Sequence, residues 1–310
     1  MKKLLLVPSI IILAAVVIYS NPAEIAGRIA GSNVLYIFLA LLVSLLSLML
    51  RALKWNVLLK KAKYRDVLPV QIFGMTLSNF TPGKIGEPAK ALLLKARNGS
   101  AVSETLPTII WERMFDVIVL LFLSISALFL FGLTEFFIIG LAAMSLFLAL
   151  VVLFIVVIKN KLVGYAAFRL VRKLPILNRI SEGFVRNFYR SKISKKRLAS
   201  SFVITIIPWV AEGIVLYLAL LSTGISSDPL LLASLIALAE LIALASFLPG
   251  GLGAFEAVMI VLLSAFSMSG PAAVAGMFIY RFVAFWFSAF VGALSFVHLS
   301  IRMDIKNILK

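Results

Sequence analysis

Long apolar runs leave this 310-residue chain little choice of fold. They lie at 4–20, 33–50, 114–133, 136–158, 201–221, 229–248 and 272–301. Crossing roughly 30 Å of hydrocarbon takes about 20 helical residues, and these runs supply them. Backbone amides inside a bilayer must be satisfied within the protein, which favours helices over open strands. With 62% hydrophobic residues, 14% charged ones and a mean hydropathy of +1.10, the composition is far from that of soluble domains, and no soluble domain is left over. The expectation is an all-α polytopic membrane protein, a single integral membrane domain over 1–310.

Several chemistries are removed by composition. The chain has no cysteine and one histidine, His298, so thiolate zinc sites, iron–sulfur clusters, haem ligation and a Ser-His-Asp triad are not expected, and neither a cofactor nor a metal is. His298 reads as an interfacial residue near the end of the last span. Trp55, Trp111, Trp209 and Trp286 read as packing and interface anchors. The first twenty residues have the basic start and apolar core of a signal peptide, but no A-x-A site follows, and the charge pattern needs them as a span.

That pattern sets the orientation. Of 30 lysines and arginines, 27 fall on one side if the N-terminus is cytoplasmic: Lys2 and Lys3, the run from Arg51 to Arg65, the run from Lys84 to Arg97, twelve between Lys159 and Arg197, and three beyond the last span. The positive-inside bias then predicts a multi-pass cell-membrane protein with both termini cytoplasmic. Arg28 alone is left outside, and Arg113 and Arg281 fall within apolar spans. The segment at about 159–199 mixes apolar and basic residues at helical spacing, and reads as a basic cytoplasmic helix on anionic head groups. A net charge of +17 spread in this way is topogenic, and a nucleic-acid partner is not expected.

Two polar insertions in this apolar background match each other. "NFTPGKIG" (Asn79 to Gly86) aligns with "SFLPGGLG" (Ser246 to Gly253) at an offset of 167, and Arg113 falls on Arg281 at an offset of 168. Threading the chain by charge makes 67–96 enter and leave from the cytoplasm, and 229–268 enter and leave from outside. The fold expected is therefore an inverted-topology repeat, repeat 1 at about 33–158 and repeat 2 at about 200–302, with two re-entrant helical hairpins and about six full transmembrane helices. Pro82, Gly83 and Gly86 would turn the first hairpin, and Pro249, Gly250, Gly251 and Gly253 the second.

An arginine deep in a span costs about 2.5 to 3.5 kcal/mol on insertion scales and needs a partner. Arg113 and Arg281 each lie roughly ten residues into a span, about 15 Å at 1.5 Å per residue, so both approach the midplane. Two guanidinium groups at one depth suit a phosphate or phosphodiester. Helices restarting after Gly86 and Gly253 would point amides at the same place, and Lys84 and Lys90 would draw the anion in. Asn79 and Tyr280 are candidate hydrogen-bond donors. Asp116, at i+3 from Arg113, reads as an ion-pair partner, with Glu112 adjacent. Glu87, Glu212, Glu240 and Glu256 are left to orient the arginines or to couple transport to protons or ions.

"RALKWNVLLKKA", "SNFTPGKIGEPAKALLL", "ERMFDVIVLL", "LPGGLGAFEAVMIVLL" and "YRFVAFWFSAFVGALSF" together resemble the flippase-like membrane domain of lysylphosphatidylglycerol synthases, which also occurs alone in bacteria and archaea. The resemblance runs from about residue 30 to 300. It implies a lipid translocase, moving aminoacylated phosphatidylglycerol in the full-length synthases and handling polyprenyl phosphate or lipid-linked sugars in the stand-alone archaeal relatives. The soluble transferase that makes the lipid is not found in this sequence, so synthase activity is not expected. The resemblance places phosphate contact on Arg113 and Arg281, with Asn79, Lys84 and Glu87 on the first hairpin and Glu256 on the second. Gly251 stands where the first copy has Lys84, so the hairpins cannot contact a head group identically. The expected function is alternating-access transport of an anionic membrane lipid. Two alternatives are a membrane enzyme acting on a lipid phosphate and a subunit that docks a soluble partner on its basic loop.

Overall fold

The computed structural model describes residues 21–60, 62–81, 84, 86–129, 160–171 and 193–302, with isolated positions at 18 and between 138 and 157. The expected spans at 4–20 and 136–158, the turn residues Pro82 and Gly83, and most of the basic segment at 159–199 lie outside the described residues, apart from these isolated positions and the stretches given. Among the described residues the protein is helical, with no strand.

In chain order the helices are α1 (Pro22–Ala30), α2 (Val34–Leu58), α3 (Tyr64–Asn79), α4 (Ala89–Asn98), α5 (Val102–Phe129), α6 (Lys161–Val171), α7 (Lys195–Ser222), α8 (Pro229–Ala245), α9 (Ala254–Ala265), α10 (Gly270–Arg281) and α11 (Ser288–Arg302). A π-helical turn at Phe282–Phe287 joins α10 to α11 without breaking the rod. Local sequence explains several starts. The Asn33, Ser194 and Asp228 side chains accept backbone N–H groups at the heads of α2, α7 and α8, and Pro229 takes the first helical position of α8, where no N–H is needed.

By length and composition α2, α7 and the α10–α11 rod can each cross a membrane. The helices flanking the two Pro-Gly motifs are shorter. At 1.5 Å per residue, α4 with 10 residues and α9 with 12 reach only about 15 to 18 Å. The motifs therefore give two helix–break–helix units, α3/α4 and α8/α9.

α2 packs along α7, α7 on α8 and α10, α8 on α5, and α11 on α3. The close approaches use glycine. A Cβ at Gly213 would strike the carbonyl of Pro229 and the side chain of Ala233, so only glycine lets α7 sit against the head of α8. The larger apolar core joins α5, α7, α8, α9 and α10 around Leu216, Leu235, Leu238 and Met259. A smaller core gathers α2, α3, α4 and α11 around Trp55, Leu94 and Leu299.

Candidate functional site

Between α2, α3, α7, α8 and α10 lies a polar cavity of about 100 Å³, room for several waters. On α2 it takes Ser44, Ser47 and Arg51, whose spacing of three and four puts them on one helical face. α7 gives Trp209 and Glu212, α8 gives Glu240, α10 gives Tyr280 and Arg281, and the two breaks give Lys84 and Gly250. The Ser47 hydroxyl is buried there with no hydrogen-bond partner.

The breaks meet at this cavity. A Cβ on Gly250 would come within 3.2 Å of the Asn79 carbonyl, and Phe80 packs edge-on against Phe285. Both breaks use left-handed backbone: φ is 56° at Lys84 and 63° at its counterpart Gly251. Glycine adopts that conformation freely, whereas in any other residue it costs about 1–2 kcal/mol. The first motif has a lysine where the second has glycine, and the Lys84 ammonium reaches across to Glu240 Oε1 at 2.6 Å.

Each cation on the cavity is held by one carboxylate. Arg51 donates to Glu212 Oε1 at 3.1 Å, and Lys84 to Glu240. Arg281 donates through Nε to Glu256 and through Nη2 to the Gly250 carbonyl at 3.1 Å. Tyr280 donates to the second Glu212 oxygen at 3.3 Å. Arg51 lies over the Trp209 ring at 4.7 Å, and Arg281 lies over Phe255 and Phe285, so aromatic faces fix both guanidinium planes.

A second cluster is closed. Lys90 Nζ donates to Glu112 Oε2 at 2.6 Å and to Gln71 Oε1 at 3.0 Å, and lies 2.8 Å from Glu87. Gln71 donates in turn to the other Glu112 oxygen at 2.7 Å. Lys54 pairs with Asp116, which also accepts from Trp209 Nε1 at 3.0 Å. Arg113 lies 2.6 Å from Glu87 and 3.2 Å from Asp116, in ionic contacts that lack the alignment of hydrogen bonds. Lys54, Lys90, Glu87, Glu112 and Asp116 are all buried, and Arg113 alone shows a third of its side chain.

The structure thus gathers Arg281, Lys84, Asn79, Tyr280, Glu212, Glu240 and Gly250 at one cavity, with Glu256 behind Arg281. It sets Arg113, Lys90, Glu87, Glu112 and Asp116 in the neighbouring cluster, away from the cavity lining. Two restart amides differ from the expectation of free donors: Gly86 N–H donates to Thr81 Oγ1 at 2.9 Å and Gly253 N–H to Glu256 Oε2 at 2.6 Å. Arg51, Ser44, Ser47 and Trp209 are functional candidates that sequence reasoning missed. Arg51 had been counted among the topogenic charges, although its helical spacing from Ser44 and Ser47 marks a polar stripe in an apolar helix. Among the described residues no cluster of carboxylates and histidine has metal-holding geometry.

Apolar helices enclosing a polar, charge-lined cavity define a helical membrane protein with charged side chains gathered in its interior. The chain belongs to the family described as the lysylphosphatidylglycerol synthase TM region, whose model matches residues 5–292. It is 28% identical over 327 residues to a UPF0104 membrane protein of Pyrococcus horikoshii, covering 95% of this chain and 96% of that one. A UPF0104 membrane protein of Methanothermobacter thermautotrophicus is 25% identical over 325 residues, covering 93% of each. A shorter likeness, 29% identity over 89 residues, covers 29% of this chain and 11% of a phosphatidylglycerol lysyltransferase of Staphylococcus xylosus.

Proposed function

We propose that the protein moves a phosphate-bearing lipid between the leaflets of the cell membrane, the lipid being a polyprenyl phosphate, a lipid-linked sugar or a phospholipid. The observation that carries this reading is the approach of Arg51, Lys84 and Arg281 to one polar cavity, each restrained by a single carboxylate. Guanidinium and ammonium donors so placed can exchange a carboxylate for a phosphate, with Arg offering bidentate contact. The unpartnered Ser47 hydroxyl supplies a further donor. Glu256 holds Arg281 at the mouth of the second break.

In this reading α3/α4 and α8/α9 are re-entrant hairpins of an inverted repeat, with both chain termini cytoplasmic. The lipid tail stays in the bilayer while one hairpin-bearing half rearranges against the other. Lys84 and Glu240 belong to different repeats, so the contact between them opens when the halves part. Arg113 and Lys90 brace the first hairpin through Glu87. The protein carries the lipid without chemical change and has no synthase activity. The likeness to the phosphatidylglycerol lysyltransferase of Staphylococcus xylosus supports phospholipid among the ligand classes.

Proteoliposomes holding fluorescent polyprenyl phosphate, glycolipid or phosphatidylglycerol test this. One of the three should change leaflet, and Arg281→Ala or Arg51→Ala should slow it by about tenfold or more, the worth of one charge-assisted hydrogen bond. Movement of none of them would overturn the reading. Chemical conversion of a lipid would replace it with the enzyme.

A further inference from the structure

The three cations of the cavity are met by three carboxylates, so the site is electrically balanced before any ligand enters. Adding a phosphate to a balanced, largely buried site leaves net negative charge there, which is costly away from water. Either the anion is refused, or a carboxylate gives up its charge.

The three carboxylates are not equally free to do so. Glu256 is fixed twice, by Arg281 and by the Gly253 N–H. Glu212 is likewise held by two donors, Arg51 and the Tyr280 hydroxyl. Among the described residues Glu240 is held by one donor, Lys84, and this pair is the most open of the three, with 26% and 20% of the two side chains exposed. Lys84 stands on left-handed backbone at the tip of the first break.

Resting on the reading above, we propose that Glu240 is the coupling residue: the incoming phosphate takes Lys84 from Glu240, and Glu240 binds one proton in exchange. The step balances. The ammonium of Lys84 passes from carboxylate to phosphate, one proton from the buffer neutralises the carboxylate, and for a singly charged phosphate, a diester or a monoester bound as its monoanion, the net charge of the site returns to that of the empty state. The groups facing Glu240 bear on it as follows. Lys84, Arg51 and Arg281 are the cations that line the cavity with Glu240, and Glu212 on α7 is the other carboxylate there. Tyr280 is committed to Glu212, and Glu256 on α9 to Arg281. α5 also packs along α8, but its Glu112, Arg113 and Asp116 are engaged with Lys54, Lys90 and Glu87.

Calorimetric titration of the purified full chain in detergent, in two buffers of different ionisation enthalpy, counts the protons taken up. The probes are inorganic phosphate, farnesyl phosphate and dihexanoyl phosphatidylglycerol, which separate a free phosphate from a monoester and a diester lipid. At least one should bind with uptake of about one proton, its affinity weakening by up to about tenfold per pH unit as pH rises. Glu240→Gln should take up about one proton fewer than the unaltered protein and flatten the pH profile. Lys84→Ala should do the same with weaker binding. Binding whose heat is independent of buffer, or equal proton uptake in Glu240→Gln, would overturn the coupling while leaving the lipid site intact. Binding of no probe would overturn the site itself.

Discussion

The open and closed charge clusters use the same currency, three cations against three carboxylates, in different ways. In the closed one Lys90 touches two carboxylates and a glutamine amide and lies 4.7 Å over the Trp55 ring, with no exposed side-chain area. In the open one each cation has one carboxylate and a wall on a cavity. Multiply paired buried ions are fixed, because losing one partner strands the others. Singly paired ions beside a polar cavity can change partner. Ion-pair count therefore says little about role, whereas the number of partners per ion and access to a cavity separate a brace from a binding site.

The largest effect expected from that contrast is Lys90→Met. It leaves buried Glu112 without its nearest counter-charge and Glu87 with Arg113 alone, and should destabilise the protein by about 3–5 kcal/mol, read by tryptophan fluorescence on heating in detergent. Arg113→Ala should cost less, about 1–3 kcal/mol, because Glu87 keeps Lys90 and Asp116 keeps Lys54 and Trp209. Lys84→Ala should cost about 0–1 kcal/mol, the worth of a partly exposed pair, while weakening phosphate-lipid binding by about tenfold or more. Equal destabilisation by Lys84→Ala and Lys90→Met would erase the contrast.

Much of the helical framework is legible locally. Asp228 followed by Pro229 marks the start of α8, and the Pro-Gly motifs mark the breaks. The charge partners are not legible, because Lys84 and Glu240 are separated by 156 residues and Arg51 and Glu212 by 161, and no local spacing encodes such pairings. Arg113 illustrates the same limit. Its offset from Arg281 suggested one shared site, but its three carboxylate neighbours, Glu87, Glu112 and Asp116, hold it in the closed cluster. Arg51 was obscured for a different reason: at the end of an apolar run a basic residue reads as a topology signal, and only packing against Trp209 and Glu212 turns it inward.

The most direct test of the account is photolabelling with a polyprenyl phosphate that carries a diazirine beside its phosphate, followed by mapping of the adducts by mass spectrometry. The account predicts labelling of the cavity wall, at Leu48, Met75 and Ile236, and its loss in Lys84→Ala. Adducts confined to α5 around Arg113, unchanged by Lys84→Ala, would contradict it.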